Sequence, residues 1–234
     1  MINLEKVCFS YGKTQILHDI DLNIGLGEKV AIIGHNGAGK STLVDIIVNV
    51  KKPSKGKIKY TELEKGQTIK DVLGVQFQNK DFPVGLKLKH LLKFHLSIYG
   101  LNIKDEKIQK LLKEYNLETR LNVEMKKLSG GQKQKFNIMM AIINNPKLLV
   151  VDEVLTGLDI TSQEGVISSL ESKLKDDKNL TFITVSHSPM ELKRLVDRLI
   201  VLSNGKKIYD DSVKNIEMKH KSLDLFLESL VEHD

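Results

Sequence analysis

Near the start of the chain, Ile20, Leu22 and Ile24 alternate with Asp19, Asp21 and Asn23, the period-two pattern of a half-buried strand. Lys29-Val30-Ala31-Ile32-Ile33 is a short apolar run closed by a glycine. In residues 40–50, Leu43, Val44, Ile46 and Ile47 stand at helical spacing. Pro53-Ser54-Lys55-Gly56 marks a turn, and two more strand-like runs lead to Val75-Gln76-Phe77. From residue 86 to 145 the spacing turns helical. Leu88, Leu91, Leu92, His95 and Leu96 form one stripe; Ile108, Leu111, Leu112 and Tyr115 form another. No strand signal returns before Pro146. Leu148-Leu149-Val150-Val151 and Thr181-Phe182-Ile183-Thr184-Val185 then read as buried strands with a helical stretch between them, which predicts an α/β fold with a parallel sheet wrapped by helices. Leu199-Ile200-Val201-Leu202 and Lys207-Ile208-Tyr209 flank Asn204-Gly205, a hairpin signal. Residues 223–231 read as a short amphipathic helix. Internal repeats and low-complexity tracts are absent from the sequence.

Composition narrows the partners. Of 234 residues, 41% are hydrophobic and 28% charged, ordinary for a soluble globular chain. No stretch approaches the ~20 apolar residues that span a bilayer, and the first six residues do not read as the start of a signal peptide. The single cysteine, Cys8, permits no internal disulfide; a packing role is expected, which fits a reducing compartment. The net charge of +6 is spread over lysines intermixed with acids, without tryptophan and with few aromatics, so direct nucleic-acid binding is not expected.

Gly34-His35-Asn36-Gly37-Ala38-Gly39-Lys40-Ser41 has the spacing G-x-x-x-x-G-K-S between a buried strand and a helix, a context that a chance glycine-rich turn lacks. Glycines let the backbone close around phosphates with N–H groups pointing inward. The helix beginning near Lys40 aims its positive end at the same anion. Lys40 brings a mobile cation to the β- and γ-phosphates, and Ser41 a hydroxyl to Mg²⁺. The segment points to a P-loop nucleotide hydrolase and leaves kinase, GTPase and ATPase open. His35 fills a variable position and counts as a loop residue rather than a catalytic one.

A second glycine-rich helix start follows. In Leu128-Ser129-Gly130-Gly131-Gln132, Ser129 is an N-cap and Gln132 completes a capping box, which by itself only starts a helix. Such a start also offers N–H groups to an anion. One chain then owns two phosphate-binding ends, although a single γ-phosphate needs one cradle. Two chains arranged head-to-tail resolve this, each Ser129 helix completing the other's nucleotide site.

With both motifs present, the chain resembles the ATP-binding-cassette (ABC) family over essentially its whole length. The resemblance implies ATP and Mg²⁺ as ligands. It also implies a P-loop NTPase core with an antiparallel β subdomain and a helical insert subdomain. Residues 1–78 and 146–210 are expected to form the RecA-like core and antiparallel β lobe, 79–145 the helical subdomain with the signature motif, and 211–234 a helical tail. Tyr11 stands where the family places an aromatic that stacks on adenine; local packing in a turn is the alternative. Gln78 matches the glutamine that contacts Mg²⁺ and attacking water, or else ends a strand. Asp152 and Glu153, after four apolar residues, resemble the Walker B pair, in which the aspartate holds Mg²⁺ and the glutamate polarises water; a solvated strand end is the alternative. Thr156-Gly157-Leu158-Asp159 resembles the D-loop. His187, after Thr184-Val185-Ser186, matches the switch histidine, or else is structural. His18, His90, His95, His220 and His233 lack such context. The implied catalytic set is Glu153, His187, Lys40 and Gln78, and the Mg²⁺ set is Ser41, Gln78 and Asp152. The nucleotide-binding set comprises Tyr11, residues 34–41, Thr42, Ser129, Gly130, Gly131, Gln132 and Asp159.

Some positions depart from the family pattern. Val154 stands where proline is common, and Lys135 and Met140 stand where arginines often occur; Lys135 keeps the charge without the planar fork. One cassette without a heptad insert implies a transporter subunit, at the cytoplasmic face of a membrane beside an integral permease and a second cassette. The alternative is a soluble mechanoenzyme acting on ribosomes or nucleic acid. Gly74-Val75-Gln76-Phe77-Gln78 and residues 91–100 are similar to the drug- and lipid-export branch, so export is expected. Phe82, Pro83, Val84 and Leu86 are expected to form a docking groove for the permease, or else Phe82 and Leu86 tuck into the helical insert's own core.

Overall fold

The computed structural model describes residues 1–76 and 82–231. In chain order the elements are β1 (Ile2–Tyr11), β2 (Thr14–Ile24), β3 (Lys29–Ile33), α1 (Lys40–Ile47), β4 (Lys55–Tyr60), β5 (Leu73–Gln76), α2 (Leu88–Ile98), α3 (Glu106–Glu114), α4 (Gly130–Ile142), β6 (Leu148–Asp152), α5 (Ile160–Asp176), β7 (Thr181–Val185), α6 (Pro189–Leu195), β8 (Arg198–Ser203), β9 (Lys206–Ser212), α7 (Val213–His220) and α8 (Leu223–Val231). Strands β2-β1-β4 form an antiparallel sheet. A six-stranded sheet runs β5-β6-β7-β3-β8-β9, parallel except for the β8–β9 pair.

Successive strand residues point to opposite faces. In the larger sheet, Ala31, Leu149, Val151, Phe182, Leu199 and Val201 enter a core filled from the other side by α2 to α8. Their neighbours Val30, Ile32, Leu148, Val150, Ile183 and Ile200 enter a second core shared with α1, β1 and β2. Both faces are covered, so the interior positions of these strands are buried and, apart from Thr181 and Thr184 of β7, apolar, with no alternation. β2 is covered on one face: Ile20, Leu22 and Ile24 are buried while Asp19, Asp21 and Asn23 are exposed. The helical stripes bury Leu88, Leu92 and Leu96 on α2 and Ile108 and Leu112 on α3, with Tyr115 just beyond; Leu91 and Leu111 are only partly buried.

Two boundaries differ from the sequence pattern. The helix expected to reach residue 50 stops at Ile47, because Asn49 adopts φ +58 and Asp45 O accepts the N–H groups of Val50 and Lys51 at 2.8 and 3.0 Å. The turn expected through Gly56 is shorter, since β4 already begins at Lys55 and the β1–β4 register shifts opposite that point. The Asn204-Gly205 hairpin is present, with both residues at positive φ, and Gly205 O accepts the His18 N–H at 2.8 Å, which docks the turn on β2. Arg198 joins strands and loops: its guanidinium donates to both carboxylate oxygens of Asp210 at 2.7 and 3.0 Å and to Glu28 at 2.8 Å. Among the described residues no helix is long and apolar enough to cross a membrane.

The helical insert is tied to the sheet by α4, which lies directly over β5. A Cβ built on Gly74 would stand 1.9 Å from Ala141 O, so only glycine permits this approach. Gly74→Ala is therefore expected to lower stability by about 2 kcal/mol through overpacking against backbone, read as a lowered denaturant midpoint.

Candidate nucleotide-binding and hydrolysis site

Three neighbouring strands deliver the polar residues to one edge. In the order β6-β7-β3, Asp152 pairs with Val185 and Val185 with Ile32, so Glu153, His187 and the loop after Ile33 leave the sheet from adjacent rows. Along β6, β7 and β3, burial on both faces leaves charged side chains only at the strand ends, as with Lys29 and Asp152, or past them.

The loop of residues 34–39 joins β3 to α1. Gly39 caps α1 in a left-handed conformation (φ +99) without any side-chain cap, and no acidic residue occupies the first turn. The helix start is thus left to an anion. Gly34 lies where a Cβ would come 2.1 Å from Leu202 O, so the loop can cross β8 only as glycine. Lys40 is buried and folds back over the loop, donating to Gly34 O at 2.6 Å and His35 O at 3.0 Å. Burial pulls its pKa down, while Glu153 and Asp152 pull it up. His35 makes local contacts, Nδ1 with Asn36 O at 2.9 Å and Nε2 with the Asn204 N–H at 3.4 Å. Ser41 is exposed and Thr42 buried at the start of α1.

Asp152 ends β6. Burial raises its pKa, the Glu153 carboxylate raises it further, and Lys40 opposes both. Glu153 adopts φ +48, a left-handed conformation uncommon for a side chain of its size, and its N–H donates to Val185 O at 2.9 Å. Thr156 Oγ1 donates to Glu153 Oε2 at 3.4 Å. Val154, at the place of the family proline, is buried in the helical-side core. His187 is exposed beyond β7; its pKa is lowered by burial and by the Lys40 cation, against the pull of Glu153. Asn36, Glu153, Thr156 and His187 line one cavity of about 440 Å³. Two carboxylates beside a lysine and a serine hydroxyl fit a divalent cation held partly by phosphates. Among the described residues no cluster of three or more His, Cys, Asp or Glu stands ready to hold a metal by itself.

Other sequence candidates lie elsewhere. Ser129 caps α4, accepting the Gln132 N–H at 3.2 Å, while Gln132 Oε1 accepts the Ser129 N–H at 3.1 Å. Gly130 and Gly131 have a second reason to be glycine: a Cβ on Gly131 would stand 2.6 Å from Ser162 Oγ, and one on Gly130 2.9 Å from Leu158. None of residues 128–132 lines the cavity shared by Glu153 and His187. Asp159 commits both carboxylate oxygens to capping α5, accepting Ser162 N–H at 2.9 Å and Ser162 Oγ–H at 2.7 Å. Lys135 lies against Gly165 of α5. Gln78 lies outside the described residues.

Tyr11 is half exposed at the end of β1, edge-to-face with Phe9 at 5.0 Å. Lys51 stands over its ring at 4.9 Å, hydrogen-bonds its hydroxyl and pairs with Asp45 of α1 at 2.8 Å. This link between Tyr11 and the helix after the phosphate loop was missed from sequence, where Lys51-Lys52 reads as ordinary surface. The docking-groove expectation is corrected in part. Phe82 and Leu86 pack against the helical-side core, leaving Val84, at 79% exposure, and Pro83 on the surface, because the two larger side chains reach apolar neighbours there.

The profile described as "ABC transporter" matches residues 17–156. The chain belongs to this family. The cassette is similar over 218 residues, 92% of each chain, to nickel import system ATP-binding proteins NikE of Staphylococcus aureus strains, at 33% and 34% identity. It superposes on the ATP-binding cassette MJ0796, in a dimeric post-hydrolysis state bound to ADP and Pi, with a TM-score of 0.74 and 25% identity, covering 91% of this chain and 98% of that one. A second structure, described as the ATP-binding subunit of an ABC transporter, gives a TM-score of 0.80 over 99% of both chains at 24% identity, a likeness of fold. The protein is an ATP-binding subunit of an ABC transporter, an ATPase coupled to transport. The NikE relatives are named for import, whereas the sequence pattern of residues 74–78 and 91–100 led to an expectation of export.

Ser129→Ala removes one half of the reciprocal cap. It is expected to lower stability by about 1 kcal/mol in the nucleotide-free protein, measured by equilibrium denaturation.

Proposed function

We propose that this cassette hydrolyses ATP in a composite site built by two head-to-tail copies, or by a pair with a related cassette, and uses the cycle to drive import. The convergence of Lys40, Asp152, Glu153 and His187 at the ends of three adjacent strands carries this reading. The loop N–H groups and the α1 start hold the phosphates, and Lys40 exchanges its carbonyl partners for β- and γ-phosphate oxygens. Tyr11, steadied by Lys51, offers a ring face to adenine. Ser41, Asp152 and Gln78 would hold Mg²⁺, which when bound would supply positive charge against the phosphates. Glu153 orients the attacking water and accepts its proton, and His187 hydrogen-bonds the γ-phosphate. The partner's Ser129 and Gly131 close the opposite side. Catalysis is then positioning and electrostatics.

The names of the NikE relatives support the import direction, and the MJ0796 dimer supports pairing. An integral permease at the cytoplasmic membrane face selects the cargo and receives the motion. Export is the second reading, favoured only by the sequence pattern after Gly74.

Glu153→Gln is expected to retain ATP binding and lose nearly all turnover, by about a thousandfold on the scale of a lost catalytic group. A variant that turns over at the wild-type rate removes Glu153 from the reaction. Sizing of that variant should show an ATP-dependent dimer, and Ser129→Arg should abolish it while the monomer still binds nucleotide. A Glu153→Gln protein that stays monomeric with Mg-ATP, alone and with a partner cassette, counts against the head-to-tail site. Direction is read by reconstituting the cassette with its permease in vesicles and following on which side cargo accumulates.

A further inference from the structure

Glu191 is fully buried and has no place in the chemistry above. It is the third residue of α6, and its side chain turns back onto the end of β7. Thr184 Oγ1 donates to Glu191 Oε1 at 2.5 Å, and Ser186 Oγ donates to Oε2 at 2.7 Å. Ser186 Oγ in turn accepts the Ser188 N–H at 3.1 Å, and Ser188 Oγ accepts the Glu191 N–H at 3.5 Å. These bonds close a ring that starts on β7, passes through the carboxylate to the first turn of α6, and returns. His187 sits in the middle of the bridged segment and is its one exposed residue between Thr181 and Ser188.

Apolar packing would join β7 to α6 without the cost of a buried acid. The carboxylate supplies direction: two hydroxyls on alternate residues must point at one group, which leaves the backbone of residues 186–188 little choice of path. The neighbouring charges that reach His187 are Lys40 and Glu153, so its path decides whether the ring faces the phosphate site.

We infer that Glu191 is a positioning residue for ATP hydrolysis, holding the switch segment through Thr184 and Ser186 so that His187 is presented to the γ-phosphate. The inference rests on the reading of His187 given above. Burial raises the pKa of Glu191 against the pull of the two hydroxyls. Glutamine can accept from one hydroxyl and donate to the other.

The test is steady-state ATPase on the full chain, with thermal unfolding measured in parallel. Glu191→Ala is expected to lower kcat by about tenfold or more, the scale of a misplaced catalytic group, with KM for ATP nearly unchanged. Glu191→Gln is expected to recover most of that loss. In a His187→Ala background, measured by single turnover, Glu191→Ala should cost nothing further, because its effect runs through the missing ring. Wild-type kcat in Glu191→Ala, or a loss that multiplies with that of His187→Ala, overturns the inference. If Glu191→Ala does not fold, Ser186→Ala is read in the same cycle with the same expectations, and wild-type kcat there overturns it equally. His187→Ala with undiminished turnover defeats the reading of His187 itself, a result seen without touching Glu191.

Discussion

Burial of the six-stranded sheet on both faces governs where this protein can place charge. Val30 to Ile33, Leu148 to Val151 and Thr181 to Val185 lie between two cores, and an ionised side chain along them would be stranded without water or a partner. Charged groups are therefore pushed to the carboxyl ends of these strands or beyond them. There the order β6-β7-β3 makes Glu153, His187 and the phosphate loop neighbours, although they are far apart in sequence. The same edge concentrates opposed charges. Lys40 is depressed by burial and lifted by two carboxylates, while Asp152 is raised by burial and by Glu153 and lowered by Lys40. An anionic ligand with a cation suits this balance.

Several of the residues marked by the sequence have a structural task of their own away from this edge. Ser129 and Gln132 form a reciprocal cap, and the adjoining glycines leave room for Leu158 and Ser162. The signature segment would thus be constrained even in a protein with no second nucleotide contact. Asp159 likewise spends both oxygens on α5. Glu153 is different: its left-handed backbone has no local capping purpose, and the strain is held by its N–H bond to Val185 and by the buried Val154 beside it.

The helical insert and the sheet share one apolar core, and at Gly74 the backbone of β5 also comes close to that of α4 at Ala141. Phe82 and Leu86, partly buried, pack against the same core.

Local chemistry was legible in the chain. The spacing from Gly34 to Ser41, the Ser129–Gln132 capping box, the Asn204-Gly205 turn and the apolar runs of the buried strands each depend on residues close in sequence, and each is present in the fold. The resemblance carried by these motifs marked Asp152, Glu153 and His187 as a set, and the strand order brings them together. Tertiary structure alone decided the rest. Lys51, paired with Asp45 of α1, reaches Tyr11 at the end of β1. Glu191 meets the hydroxyls of Thr184 and Ser186 because α6 folds back onto β7, and Phe82 packs against the helical-side core because apolar neighbours stand there. In sequence these are a surface lysine, a helical glutamate and a loop phenylalanine. Their roles arise from partners on other elements, and no local pattern of propensity or spacing records which elements will be neighbours.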